Sequence, residues 1–114
     1  MPYISVKTSV KLSQAQELAV KAEFGRLVEI IPGKTEENTM VDFSDSRSMY
    51  KAGNAGPCAF VEMRLWRKAE IDAKKRFVEE AFAMLRRELA VEEKNIFINV
   101  LEFDEWGGGG TLKV

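Results

Sequence analysis

Few groups in this chain could act as an acid, a base or a metal ligand. The 114 residues include no histidine and one cysteine, Cys58. A Ser-His-Asp arrangement, a Cys/His zinc site and an internal disulfide are therefore excluded. Any acid-base chemistry must come from carboxylates, lysine, tyrosine or the N-terminal amine.

Pro2 is the most informative of these residues. A small residue at position two permits removal of Met1, which leaves the secondary amine of Pro2 as the N-terminus. An exposed α-amino group has a pKa of about 7.7 to 8.0, and burial beside a cation lowers it toward neutral pH. We therefore predict that Pro2 acts as a general base. If Met1 is retained, the Pro2 nitrogen is an amide and cannot accept a proton.

The elements that must position Pro2 form one pattern that occurs twice. Alternating apolar residues predict strands, apolar residues at helical spacing predict helices, and Ser13 with Gln16 forms a capping box at the first helix start. Pro32-Gly33 ends that helix. The predicted elements are, in order, strand 2–9, helix 13–31, strand 39–43, strand 57–66, helix 69–89 and strand 95–103.

Apolar residues at helical spacing also predict which helix faces are buried. The residues that we expect to face the core are Ala15, Leu18, Ala19, Ala22, Phe24, Leu27, Val28 and Ile31 in the first helix and Val78, Ala81, Phe82, Leu85 and Leu89 in the second.

Two strand-helix-strand units predict an α+β fold in which one four-stranded sheet carries both helices on one face. When the two units are aligned in sequence, Pro2 corresponds to Pro57 and Glu36-Glu37 corresponds to Glu92-Glu93. The other face of the sheet is left open, with apolar and aromatic side chains, so we expect the chain to oligomerise. The glycine-rich ending over 106–114 predicts a flexible turn and a short edge strand that reaches a neighbour.

Composition limits the classes of partner. The length favours a single domain over 1–114, and 17 basic residues nearly cancel 18 acidic ones. Binding to nucleic acid without regard to sequence, or to an acidic membrane, is therefore not expected. No apolar stretch approaches the about 20 residues of a membrane span, and no signal peptide is evident, so we expect a cytoplasmic protein.

Several segments together resemble the tautomerase superfamily, and in particular its macrophage migration inhibitory factor branch with bacterial phenylpyruvate tautomerase relatives. These segments are Met1-Pro2-Tyr3-Ile4, Pro32-Gly33-Lys34, Gly56-Pro57-Cys58-Ala59-Phe60 and Asn95-Ile96-Phe97-Ile98-Asn99. The resemblance covers residues 2 to 106. It implies a homotrimer with active sites at subunit interfaces. It also implies a cofactor-independent isomerase, with no metal, that interconverts the keto and enol forms of phenylpyruvate-like α-keto acids.

Carried over by position, the resemblance implies a role for each site residue. Pro2 is the catalytic base, and Lys34 is the cation that holds the substrate carboxylate. Main-chain N–H groups near Leu65 and Trp66 lie where the family contacts that carboxylate. The remaining residues that the resemblance implies are Phe97, as an aromatic wall, and Asn99, as a hydrogen-bonding group from the adjacent subunit.

The sequence departs from the family pattern at three places, and each departure limits the properties that the resemblance implies. Val61 stands where the cytokine branch has its second cysteine, so dithiol redox activity is not supported. Phe97 replaces a tyrosine and removes a phenolic donor. The glycine run after Trp106 replaces a Trp- and Asn-containing ending.

Other readings stay open. Chemistry on halogenated or decarboxylating acids needs further arginine and acidic partners, for which Asp42 with Arg64 is the candidate pair. Lys11, Arg64 and Arg67 could also bind carboxylates. The main alternative to the enzyme is a ligand-binding or signalling trimer with little turnover. A degenerate structural trimer follows if Pro2 is not a free amine.

Overall fold

The computed structural model describes residues 1–114. Two α-helices and six strands form most of the chain, and three short 3-10 helices cover residues 28–30, 36–38 and 93–95. The helices and strands are β1 (Pro2–Thr8), α1 (Gln14–Leu27), β2 (Met40–Ser44), β3 (Ala59–Trp66), α2 (Ile71–Leu89), β4 (Ile96–Phe103), β5 (Trp106–Gly108) and β6 (Thr111–Lys113).

The first four strands form one mixed sheet in the order β2-β1-β3-β4. β1 pairs with β2 and β3 pairs with β4 in parallel, while the two central strands β1 and β3 are antiparallel. Each parallel pair is joined through a helix, because parallel neighbours need a crossover connection. The predicted α+β fold of two strand-helix-strand units is confirmed.

The core lies between the helices and one face of the sheet. Alternate residues of the central strands, such as Val6 and Met63, are fully buried against it. Phe24 of α1 and Phe77 of α2 stack with ring centroids 6.1 Å apart, and burying such a ring contributes about 1.5 to 3 kcal/mol. Neither helix combines the length and apolar character that crossing a membrane requires.

The buried face of α1 differs from the prediction. Leu18 is 53% exposed, Ala15 and Ala22 are also exposed, and Val20 is buried instead. Apolar residues occur all round this helix, so spacing alone could not identify the inner face. In α2 the prediction fits better, since Ala81 is buried as expected. The other residues of its predicted face are Leu85 and Leu89, which are buried, and Val78 and Phe82, which are partly buried.

The two halves correspond, but not at Pro57. The strand starts at Ala59 instead of residue 57, and Pro57 is exposed. A 3-10 helix precedes the second strand of each half, at Glu36–Asn38 and at Glu93–Asn95. The two acidic segments therefore occupy equivalent positions in the fold. The predicted correspondence of Pro2 with Pro57 was wrong, because Pro2 begins a strand and Pro57 precedes one.

The open face of the sheet is mixed in character and not mainly apolar. At its centre Glu62 binds both Lys7, at 3.8 Å, and Arg64, at 3.2 Å. Large apolar side chains lie at its margins instead. They include Met40, at 66% exposed, and Phe97, at 55% exposed. This face therefore offers charged as well as apolar groups to a neighbour.

Candidate active site

The N-terminus lies at an end of the central strand pair. Pro2 is buried and is the first residue of β1, where it stands opposite Leu65 of β3. Leu65 in turn stands opposite Glu102 of β4. Pairing with β3 therefore fixes the position of Pro2, whereas an unpaired chain terminus would be poorly ordered.

Lys34 reaches this place because of the turn that follows α1. The α-helix ends at Leu27, earlier than the predicted residue 31, and a 3-10 turn follows it. In the next turn the Lys34 N–H donates to the Ile31 carbonyl at 3.1 Å, and Gly33 has a φ of 81°. Pro32 followed by Gly33 is the pair that a type II turn favours, since only glycine adopts that φ at no cost.

The half-buried Lys34 side chain donates from Nζ to the carbonyl oxygen of Trp66 at 3.4 Å. None of the ion pairs in the structure, defined by a 4.0 Å separation, includes Lys34. A half-buried ammonium group without a carboxylate partner is costly, and an anionic ligand would compensate it.

The Lys34 ammonium group also acts on the N-terminal amine. Burial and then the charge and hydrogen bond of Lys34 lower the pKa of the Met1 amine from 8.0 to about 6, with a smaller contribution from Lys113. A proton added to the amine would stand beside a second cation, so the neutral amine is favoured. The geometry therefore keeps an N-terminal nitrogen in its basic, unprotonated form near pH 7.

Trp66 holds the C-terminal part of the chain against the site. Its indole Nε1 donates to the Asp104 carbonyl at 3.2 Å. The Arg67 guanidinium lies 4.3 Å from the centre of the indole ring, and Lys113 Nζ lies 5.7 Å from it. Arg67 Nη2 also donates to the main-chain oxygen of Val114 at 2.8 Å.

The C-terminal segment is a hairpin and not the predicted single edge strand. β5 and β6 pair antiparallel, and Trp106 stands opposite Lys113. Gly109 and Gly110 form the turn with φ values of 64° and 87°, which favour glycine. The hairpin therefore returns Lys113 to the neighbourhood of Trp66.

A cleft of about 680 Å³ adjoins the N-terminus. A Cβ at position 108 would lie 2.9 Å from the Met1 sulfur, so the Met1 side chain packs where Gly108 leaves room. The lining residues are Met1, Pro2, Tyr3, Asn38, Met40, Arg64, Phe103, Glu105, Trp106, Gly107, Gly108 and Gly109. Met1 thus fills part of a space that a ligand could use.

Phe97 and Asn99 are not brought to Pro2 within one chain. Both are exposed residues of the edge strand β4. Asn99 stands opposite Glu62, three residues along β3 from the partner of Pro2, which is about 10 Å away along the strand alone. Phe97 packs edge-to-face on Phe60 at 6.4 Å. Their place in the site depends on a second subunit and stays a prediction.

The other candidates bind elsewhere. Asp42 accepts from the Tyr3 hydroxyl at 2.7 Å, a bond that raises the pKa of Tyr3, whereas Arg64 pairs with Glu62. Asp42 and Arg64 therefore do not form an ion pair. Lys11 is exposed and forms no ion pair. No group of three histidine, cysteine or acidic side chains could hold a metal ion.

Sequence reasoning missed two contributions to the site. One is the carbonyl oxygen of Trp66, which accepts a hydrogen bond from Lys34. The other is Lys113. A Gly-Gly pair between short segments is a hairpin signal, and it could have indicated that the chain folds back. The contact of main-chain N–H groups near Leu65 and Trp66 with a substrate carboxylate stays a prediction.

Comparisons with known proteins agree with this architecture. The sequence matches the family model "Macrophage migration inhibitory factor (MIF)" over residues 1–111. No protein of curated function matches it significantly. The fold is similar to that of Leishmania major MIF2, with 23% identity and a TM-score of 0.92 over 98% of this chain and 97% of that chain.

Two further solved structures are similar. A MIF homologue from Prochlorococcus marinus has 20% identity and a TM-score of 0.80, over 96% of this chain and 97% of its own. The protein Pt0534, solved after inactivation by 2-oxo-3-pentynoate, has 13% identity and a TM-score of 0.83, over 95% of this chain and 93% of its own.

The mixed four-stranded sheet with two helices, and a proline as the first residue of a central strand, are typical of the fold class of the tautomerase superfamily. Within that class the family model matches nearly the whole chain. The chain belongs to the macrophage migration inhibitory factor family.

A lysine substitution tests the contact between the two cations. In protein that retains Met1, we expect Lys34→Met to raise the pKa of the Met1 amine from about 6 toward 8.0, because only burial and the smaller effect of Lys113 then lower it. Competitive acylation followed over pH by mass spectrometry of the N-terminal peptide measures this pKa. Lys21→Met removes an exposed charge elsewhere and should leave it unchanged. An equal pKa in the wild type and Lys34→Met would show that Lys34 does not act on the amine.

Proposed function

We propose that this protein is a cofactor-independent tautomerase of α-keto acids, with phenylpyruvate as the reference substrate. Pro2, freed by removal of Met1, is the general base, and Lys34 binds the substrate carboxylate. The observation that carries the proposal is the position of the N-terminal amine, half-buried and beside an ammonium group that has no carboxylate partner.

The environment that acts on the Met1 amine supports a basic Pro2. The nitrogen of Pro2 is one residue further into the sheet and belongs to a buried residue. Burial and Lys34 both disfavour a positive charge on the Met1 amine, and we expect the same causes to lower the pKa of a Pro2 amine once Met1 is removed. A base is most effective when its pKa lies near the working pH.

Removal of Met1 has two consequences in this geometry. It converts the Pro2 nitrogen from an amide to an amine, which can accept a proton. It also takes away a side chain that lines the cleft and packs against Gly108, so more space is open to a substrate. Both consequences favour activity in the processed chain alone.

The proposed reaction needs only proton transfers. The neutral Pro2 nitrogen takes a proton from carbon 3 of the keto acid, and the C–H electron pair forms the double bond between carbons 2 and 3. The Pro2 ammonium then gives that proton to the carbonyl oxygen, which completes the enol and regenerates the neutral amine. In the reverse direction the neutral Pro2 nitrogen takes the proton of the enol hydroxyl and delivers it to carbon 3. Lys34 holds the carboxylate throughout, which keeps carbon 3 near the base.

Membership of the MIF family supports this reading, because tautomerase activity occurs within that family. The inactivator named for Pt0534, 2-oxo-3-pentynoate, is itself an α-keto acid. A ligand-binding or signalling trimer with little turnover is the alternative. It would bind keto acids at the same place without ketonising them.

The decisive experiment compares three forms of the protein. Protein that has lost Met1 should ketonise phenylpyruvate enol, with activity rising with pH through the pKa of the amine because only its neutral form accepts a proton. A form that retains Met1 should be nearly inactive, and Pro2→Ala should lie between them. The loss of a general base is typically about 100-fold to 10,000-fold. Circular dichroism controls for folding.

The outcome that contradicts the mechanism is equally specific. If intact-mass measurement found Met1 fully retained and the protein still turned over at the processed rate, Pro2 could not be the base. Binding of phenylpyruvate by the processed form without turnover would instead support the ligand-binding alternative.

We also propose a homotrimer, in which a neighbour supplies Phe97 and Asn99 to the site. Exposed apolar side chains at the margins of the open face, such as Met40 and Phe103, support such an assembly. Light scattering at micromolar concentration should give three times the mass of one chain. A monomer would refute both the assembly and the shared site.

Asn99→Asp provides a sharper test of the shared site. It should reduce activity because it places a negative charge near the substrate carboxylate. Asn54→Asp, at an exposed asparagine that does not line the cleft, is the matched control and should leave the rate of phenylpyruvate ketonisation unchanged.

A further inference from the structure

The C-terminal hairpin carries a cation to the same residue that Lys34 contacts. Lys113 stands opposite Trp106 in the hairpin, and its Nζ lies 5.7 Å from the ring centre of Trp66. Lys34 Nζ donates to the carbonyl oxygen of Trp66 at 3.4 Å. Two ammonium groups therefore lie around one residue, at the end of the sheet where the chain begins.

The position of Lys113 is fixed by its surroundings. The Gly109-Gly110 turn reverses the chain, and Arg67 holds the following residue by donating to the main-chain oxygen of Val114 at 2.8 Å. Lys113 itself is a half-buried residue of β6. The hairpin thus presents this cation in a defined place.

Neither lysine has an acidic partner. No ion pair within 4.0 Å includes Lys34 or Lys113. The acidic residue of β4 is Glu102, and it already accepts hydrogen bonds from the Ala69 N–H at 2.6 Å and from Lys74 Nζ at 2.9 Å. Glu105 lines the cleft but is exposed. The two charges are therefore available to a ligand.

We propose that Lys113 is a second anion-binding residue of this site and that the site prefers 2-oxo dicarboxylates to keto acids with an apolar side chain. This inference rests on the proposed function and narrows its substrate class. One carboxylate binds Lys34 and the other binds Lys113, whereas phenylpyruvate leaves one ammonium group unpaired. Independent support is that both lysines act on the N-terminal amine and lower its pKa.

A matched pair of unreactive ligands tests the inference without turnover. Fumarate and crotonate are both planar four-carbon acids, and crotonate has a methyl group where fumarate has its second carboxylate. By titration calorimetry, processed wild-type protein should bind fumarate about tenfold to a hundredfold more tightly than crotonate, the range that one charge-assisted hydrogen bond supplies. Lys113→Met should reduce this ratio to less than about threefold and leave crotonate binding unchanged.

Lys21→Met is the control, since it removes one exposed charge from α1 and should keep the wild-type ratio. Equal affinities for fumarate and crotonate in the wild type, or an unchanged ratio in Lys113→Met, would overturn the inference. A reduced ratio in Lys21→Met as well would show that net charge, not Lys113, sets the preference, and would also overturn it.

A kinetic comparison separates this inference from the proposed function. Oxaloacetate, a 2-oxo dicarboxylate, should show a higher kcat/KM than phenylpyruvate. At about pH 9, where the amine is neutral with or without Lys113, Lys113→Met should lower the oxaloacetate value about tenfold or more and change the phenylpyruvate value less than twofold. If wild-type protein ketonises phenylpyruvate but Lys113→Met changes neither value, the inference fails and the proposed function stands. If neither acid is turned over but the ligand preference is found, the proposed function fails and the anion site stands.

Discussion

The contact between the N-terminal amine and the Lys34 ammonium group is the interaction on which the site depends. Like charges repel, so an ammonium group beside the amine disfavours the protonated form of that amine. Here β1 is a central strand, so the N-terminus lies at one end of the central strand pair. The turn after α1 places Lys34 at that same end. Burial of the amine and then the nearby Lys34 ammonium group both disfavour its protonated form, and together with a smaller effect of Lys113 they lower its pKa to about 6.

The rest of the architecture serves that placement. The antiparallel pairing of β1 and β3 sets Pro2 opposite Leu65, and the next residue, Trp66, binds Lys34 through its carbonyl oxygen. The same tryptophan contacts Arg67 and Lys113, and so joins the end of the chain to its beginning. One small sheet thus brings the N-terminal amine close to several cations, in a chain that has no histidine.

Local patterns predicted the fold well. Ser13 and Gln16 form the expected capping box, with the Gln16 N–H donating to the serine hydroxyl at 3.1 Å. Pro32-Gly33 marked the turn that delivers Lys34. Such features depend on neighbours in sequence, so the residue types suffice to predict them. The exposure of Leu18 was not predicted, because the apolar residues of α1 surround the helix.

Features that depend on distant pairing could not be predicted in the same way. The contact of Lys113 with Trp66 requires the hairpin register and the path of the chain after β4, neither of which is encoded in a short motif. The resemblance to the tautomerase superfamily supplied Phe97 and Asn99, but one chain leaves both on an exposed edge strand. Their contribution depends on an assembly that lies outside the information in a single subunit.

Direct titration of the Pro2 nitrogen tests the central claim most directly. In processed protein labelled with 15N-proline, only one of the three prolines can titrate, because the other two are amides. We predict a 15N shift that titrates with a pKa well below that of a solvated prolyl peptide. A Pro2 nitrogen with the pKa of that peptide, or above it, would contradict the account.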